Sequence, residues 1–231
     1  MKTWLKLLFV VLLLCRSGYA QGFMNFDFEA ANTLGYSPGS SSIPTSTALP
    51  GWSAYFGIST TPAPSIALNG QSIGGAVIAL QDTNASTFAP IQGNYSVLLQ
   101  GAMFSYPTIA ATAAIGQTGT IPVGTQSLLF FSMFSEALQV SFNGQPVNYV
   151  VSGSTANYNI YAADMTAYAG QTGQLLFTAP LQATVLLDNI QFSTTPVPEP
   201  SAVALAALGG LLLAIFPSSR RPVGCQVKKI K

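Results

Sequence analysis

The chain has 231 residues, of which only 6% are Asp, Glu, Lys or Arg, against about 25% in an ordinary soluble protein. Its eight basic residues (Lys2, Lys6, Arg16, Arg220, Arg221, Lys228, Lys229, Lys231) all lie at the ends and it has no His, so residues 21–196 carry six acids, no base and a net charge of −6. Without a cation this middle cannot neutralise phosphates, which argues against nucleic acid as a partner; without Lys, His or Cys it lacks the commonest general bases, a Schiff-base amine, a thiol nucleophile, a Cys/His zinc site and a disulfide.

Residues 1–20 read as a secretory signal peptide. Lys2 and Lys6 form the charged start, Leu7–Cys15 is an apolar run of nine, and Gly18-Tyr19-Ala20 places small residues where cleavage between Ala20 and Gln21 needs them. The run is too short for an uncleaved membrane anchor. The Sec translocon and a signal peptidase are the partners this segment implies.

Residues 21–193 form the ectodomain. Short β-prone runs bounded by turn residues read as strands over 23–28, 73–80, 95–100, 109–117, 127–134, 138–142, 147–151, 157–161, 175–178 and 183–192. Residues 36–64, dense in Ser, Thr, Pro and Gly, read as a long loop in which Trp52 and Phe56 must still pack. Leu138, Val140 and Phe142 alternate with Gln139 and Ser141, and Asn143-Gly144 then signals a two-residue hairpin. The one helical hint is residues 164–169, closed by Gly170. Many short strands with regular turns predict an all-β fold: a two-sheet antiparallel β-sandwich of jelly-roll type.

Three segments follow. Residues 194–201 are a Pro-rich linker that supports neither ladder nor helix. Residues 202–217 are apolar and read as a single membrane helix, and residues 218–231 as a basic cytoplasmic tail whose Arg220 and Arg221 stop transfer. The uninterrupted apolar run 202–216 spans only about 22 Å as a helix, against a hydrocarbon core of about 30 Å. Local thinning and snorkelling of the arginines would close the gap.

The order Val197-Pro198-Glu199-Pro200-Ser201, apolar run, arginines resembles the PEP-CTERM sorting signal of Gram-negative bacteria. The resemblance implies recognition of the motif by an exosortase, processing nearby, and delivery to the cell surface or an extracellular polysaccharide matrix. The basic residues here are spread over a longer tail than is usual in that family. The other reading is an ordinary single-span anchor.

The ectodomain resembles bacterial galactose-binding-like and carbohydrate-binding jelly rolls. The residues that carry this are Phe26-Asp27-Phe28-Glu29, Leu49-Pro50-Gly51-Trp52, Gly93-Asn94-Tyr95-Ser96-Val97 and Leu187-Asp188-Asn189-Ile190. In such modules the opening Glu and the closing Asp help hold a structural Ca²⁺, which points to Glu29 and Asp188. The other reading is hydrogen bonding to backbone amides, since no cation is available for a salt bridge in the domain. Trp52, with Tyr55, Phe56, Tyr95 and Tyr106, either forms a sugar-stacking platform or packs in the core. Asp82, Glu136 and Asp164 are isolated and no Ser-His arrangement is possible, so no enzyme is expected. The sequence therefore predicts an exported, non-enzymatic surface or matrix protein. A carbohydrate-binding module recognising a polysaccharide and a single-span adhesin are the alternatives.

Overall fold

A computed structural model of the chain describes residues 22–37, 42–103, 111–134 and 137–197. The cleavage site Ala20/Gln21, the motif residues Pro198, Glu199, Pro200 and Ser201, the apolar segment 202–217, Arg220, Arg221, Tyr106 and Glu136 lie outside the described residues.

The strands are β1 (Ile43–Pro44), β2 (Ser53–Phe56), β3 (Ser65–Leu68), β4 (Val77–Asp82), β5 (Tyr95–Gln100), β6 (Ala113–Thr120), β7 (Ser127–Met133), β8 (Gln139–Phe142), β9 (Gln145–Pro146), β10 (Tyr149–Ser154), β11 (Asn159–Asp164), β12 (Thr172–Ala179) and β13 (Thr184–Ser193). They make an eight-stranded sheet in the order β1-β3-β4-β5-β13-β7-β11-β10 and a five-stranded sheet in the order β2-β6-β12-β8-β9. β3 and β4 run parallel, and the other strand pairs are antiparallel. The predicted two-sheet β-sandwich is the observed architecture.

The sandwich follows from period-two patterning. On β12, Leu175, Phe177 and Ala179 are buried, while Gln174, Leu176 and Thr178 are half-exposed. Leu80, Val97, Leu99, Phe130 and Leu187 of the larger sheet share one core with Ala54, Ile115, Val140, Phe142 and Phe177 of the smaller. The rings of Phe130 and Phe177 meet across the interface at 5.6 Å. β4 and β5 are buried on both faces because a second cluster, Ala79, Leu98 and Leu186, lies on the outer side under Phe88 and Ile91.

Departures from the sequence reading have local causes. Residues 23–28 are not a strand. Asn25 and Phe28 sit at φ +52° and +61°, which breaks extension. The Gln117 side chain stands in for a strand partner, accepting the Met24 N–H at 2.6 Å and donating to the Met24 carbonyl at 3.0 Å. The long loop over 36–64 holds β1, a one-turn helix (Thr45–Ala48) and β2, because Ile43, Ala48, Leu49 and Trp52 are all buried there. β3 has no counterpart in the sequence reading. The Asn143-Gly144 hairpin forms as predicted, with φ +51° and +76° and Phe142 paired to Gln145. The helical hint is a 3-10 turn, Thr166–Tyr168. Among the described residues, no helix is long and apolar enough to cross a membrane.

Candidate functional site

Glu29 and Asp188 do come together. Both line a cleft of about 240 Å³ with Asp27, Gln92, Gly93 and Asn189. Glu29 Oε1 accepts the backbone N–H groups of Asn94 (2.7 Å) and Tyr95 (3.1 Å), and Oε2 accepts Asn94 Nδ2 (2.9 Å). Asp188 Oδ2 accepts the Gln92 N–H (2.9 Å) and the Ser96 hydroxyl (2.8 Å), and Oδ1 accepts the Asn189 N–H (2.6 Å). One segment, residues 92–96 at the entry to β5, is thus tied to the opening segment by Glu29 and to the last strand by Asp188. Gly93 makes this possible: its φ is +58°, and a Cβ there would overlap Glu29 Oε1.

Burial, with 1% of the residue exposed, raises the Asp188 carboxyl to about 6; hydrogen bonds from Gln92, Ser96 and Asn189 oppose this and the nearby Glu29 charge adds to it. A Ca²⁺ ion wants about six to eight oxygen ligands. Here every oxygen of both carboxylates already accepts an N–H or O–H, and among the described residues no three His, Cys, Asp or Glu side chains group closely enough to hold a metal. The residues present fit an amide-bound carboxylate pair and do not make a Ca²⁺ cage. Asp188 is almost wholly buried, whereas Glu29 is half-exposed in the cleft. Asp27 shares the cleft, whereas Asp82 and Asp164 stand apart. Asp82 accepts from Asn69 Nδ2 (2.7 Å) and the Asn84 N–H (2.7 Å). Asp164 is exposed and held below its ordinary range by hydrogen bonds from Thr166.

Of the two readings of Trp52, the structure shows the one in which it packs in the core. Only 4% exposed, it packs on Phe28 (5.7 Å), Phe26 (5.8 Å) and Phe177 (6.3 Å), and its Nε1 donates to the Asn25 carbonyl at 2.9 Å. A buried indole with its one donor occupied cannot stack on a sugar. Phe56 packs against the core and Tyr95 is half-buried, hydrogen-bonded with Thr33 at 3.1 Å.

Tyr55 is different. It sits on the outer face of the five-stranded sheet, where register aligns Tyr55, Ala114, Thr178 and Gln139 in one row and Ser53, Gly116, Leu176 and Ser141 in the next. The floor is low at β6, since Leu176 and Gln174 lean across Gly116, where a Cβ would come within 2.9 Å of Leu176 Cδ1. Two adjoining clefts cover this face. One of about 280 Å³ is lined by Tyr55, Thr60, Thr112 and Gln174 among others. The other, about 500 Å³, is lined by Gln139, Ser141, Asn148 and Tyr149 among others, and both share Leu176 and Thr178. No lining residue of either is charged. Sequence reasoning missed this groove. Tyr55 is among the candidate aromatics and residues 175–178 read as a strand, but only the register sets Gln174, Leu176 and Thr178 beside Tyr55.

No protein family and no curated protein matches the chain. Solved structures similar to it at low TM-score include the following three. One is the enzymatically active domain of bacteriophage CBA120 tailspike protein 4 (15% identity, TM-score 0.35, 72% of this chain), of which the chain spans 21%. The others are Clostridium thermocellum family 11 carbohydrate-binding modules. One, in complex with a β-1,3-1,4-mixed-linked tetrasaccharide, gives 8% identity and TM-score 0.34 over 70% of this chain and 99% of that one. The other, from the cellulosomal cellulase Lic26A-Cel5E, gives 8% and 0.35 over 71% and 99%.

Proposed function

We propose that this protein is exported and binds neutral polysaccharide across the outer face of its five-stranded sheet. The observation that carries the reading is the groove itself, wide, shallow and uncharged. Gln139, Ser141, Asn148, Gln174 and Thr178 can each donate and accept, as sugar hydroxyls do. Tyr55 and Leu176 offer the apolar surface that the C–H face of a sugar ring needs. With no Lys, Arg or His in residues 21–196, nothing there pairs with a uronate or sulfate, and the net negative charge repels one. In calorimetric titrations of the full chain, soluble neutral glycans therefore bind and polyuronates do not. Binding of polyuronates alone would contradict the reading.

The ends supply the address. Residues 1–20 direct export, and Val197–Ser201 with the apolar segment 202–217 and Arg220/Arg221 present the domain to an exosortase from the membrane, for the surface or matrix of a Gram-negative bacterium. Intact-mass measurement of protein recovered from the native cell surface then shows chains that begin at Gln21 and lack Lys231. If every molecule ends at Lys231, the chain is an ordinary anchored protein.

A further inference from the structure

We propose that Asn143 is a modification site of the folded protein, where the chain converts its own carboxamide to a carboxylate through the neighbouring Gly144 nitrogen. The sequence holds two Asn-Gly pairs in like surroundings, Leu68-Asn69-Gly70-Gln71 and Phe142-Asn143-Gly144-Gln145. A glycine after asparagine leaves its backbone nitrogen unshielded by a side chain, so ring closure onto the carboxamide meets least obstruction. Both asparagines stand in the left-handed region, at φ +53° and +51°. The structure restrains one and frees the other.

Asn69 is half-buried and clamped to β4. Its Nδ2 donates to Asp82 Oδ1 at 2.7 Å, its Oδ1 accepts the Asp82 N–H at 2.8 Å, and its own N–H donates to the Leu80 carbonyl at 2.8 Å. Gly70 is crowded: a Cβ there would lie 2.6 Å from Ala67 Cβ, and its carbonyl accepts Gln81 Nε2 at 3.1 Å. Carboxamide and nitrogen turn towards each other only when these bonds break.

Asn143 sits at the exposed tip of the β8–β9 hairpin. That hairpin closes on two residue pairs, Phe142–Gln145 and Ser141–Pro146, and Pro146 has no N–H to donate. β9 is an edge strand with both residues exposed. The Asn143 N–H donates to the Gln174 carbonyl at 2.9 Å. Its carboxamide is held by one good bond, from the Gln174 N–H to Oδ1 at 3.0 Å; Nδ2 lies 3.5 Å from the Thr172 carbonyl. A Cβ on Gly144 would have nothing within 4 Å, and among the described residues the Gly144 N–H has no acceptor. Opening this tip breaks few contacts and costs little.

The step needs only water. The Gly144 nitrogen, its proton taken by hydroxide, attacks Asn143 Cγ. The new C–N bond closes a five-membered imide, and the carboxamide nitrogen leaves as ammonia. Water then opens the imide on either side. Cleavage between the nitrogen and Cγ gives an ordinary aspartate. Cleavage between the nitrogen and the main-chain carbonyl carbon gives the β-linked isomer, with one extra methylene in the main chain. Either product adds one negative charge to residues 21–196, taking them from −6 to −7. The β-linked product cannot keep a two-residue turn in which both residues hold positive φ, so the grip on Gln174 is released.

The test is ageing of the full chain in detergent micelles at mildly alkaline pH, followed by peptic digestion and mass spectrometry, since residues 17–219 contain no Lys or Arg for trypsin. The peptide that carries Asn143 gains one dalton and becomes a substrate for an isoaspartyl methyltransferase. An opening costlier by about 1.4 kcal/mol makes the Asn69 peptide react about tenfold more slowly, a difference that disappears in urea, where both pairs are unfolded. In the β-linked fraction the Gln174 amide exchanges hydrogen faster than in fresh protein. No mass gain at Asn143 in the folded chain overturns the proposal. So do equal folded-state rates at the two pairs, or a Gln174 amide as protected after the change as before it.

Discussion

Trp52→Ala destabilises the domain by about 3–5 kcal/mol and leaves glycan affinity per folded molecule unchanged. The indole fills the space between the opening segment and the smaller sheet, touching Phe26, Phe28 and Phe177. Truncation removes its transfer free energy and leaves a cavity lined by rings that cannot collapse far. It also removes the donor to the Asn25 carbonyl, whose residue is held at φ +52°. For a domain of this size the loss corresponds to a fall in melting temperature of about 10 °C. Urea unfolding and a titration of the folded fraction check it together. Full stability with binding lost would restore Trp52 as a ligand residue and contradict its burial.

The second large effect is one of pH. Asp188 has an ordinary value of 3.8 and stands at about 6 in the folded protein. The folded state therefore binds the proton more tightly than the unfolded chain does. The stabilisation is fully present below 3.8 and is lost as pH rises through about 6. Stability accordingly increases by about 1 kcal/mol from pH 7 to pH 5, a range in which carboxylates of ordinary acidity stay ionised. Ser96 accommodates the protonated form, since its hydroxyl can turn from donor to acceptor. In Asp188→Asn that rise is absent. Neither EDTA nor Ca²⁺ displaces the wild-type curve, because the carboxylate oxygens are already held by amides. Urea midpoints at pH 5, 6 and 7 measure this. A wild-type curve that falls towards pH 5, or one raised by Ca²⁺, contradicts the assignment.

What could be read from the chain and what could not divide along a physical line. Period-two alternation and turn chemistry are local, so β8, the Asn143-Gly144 hairpin and most of β5, β7 and β13 were legible. Residues 23–28 look like a strand by composition, yet their backbone is set by contacts about 90 residues away in sequence, chiefly with Gln117. Glu29 and Asp188 were legible as a pair through resemblance. Their partners were not, because Asn94, Tyr95, Gln92 and Asn189 act largely through backbone N–H groups that any residue carries. Trp52 carried the right signal for packing and the wrong one for binding, since an aromatic in a Pro- and Gly-rich stretch serves either. The groove was least legible of all. Tyr55, Gly116, Gln174 and Ser141 come from four strands and meet only through register.

The central claim is that this groove is the ligand site. It is met most directly by repeating the calorimetric titration of a bound neutral glycan with Tyr55→Ala, a change on a half-exposed ring outside the core. The account predicts about a tenfold loss of affinity, the size expected for one aromatic contact, with melting temperature unchanged. An affinity equal to that of the wild type would place the site elsewhere and contradict it.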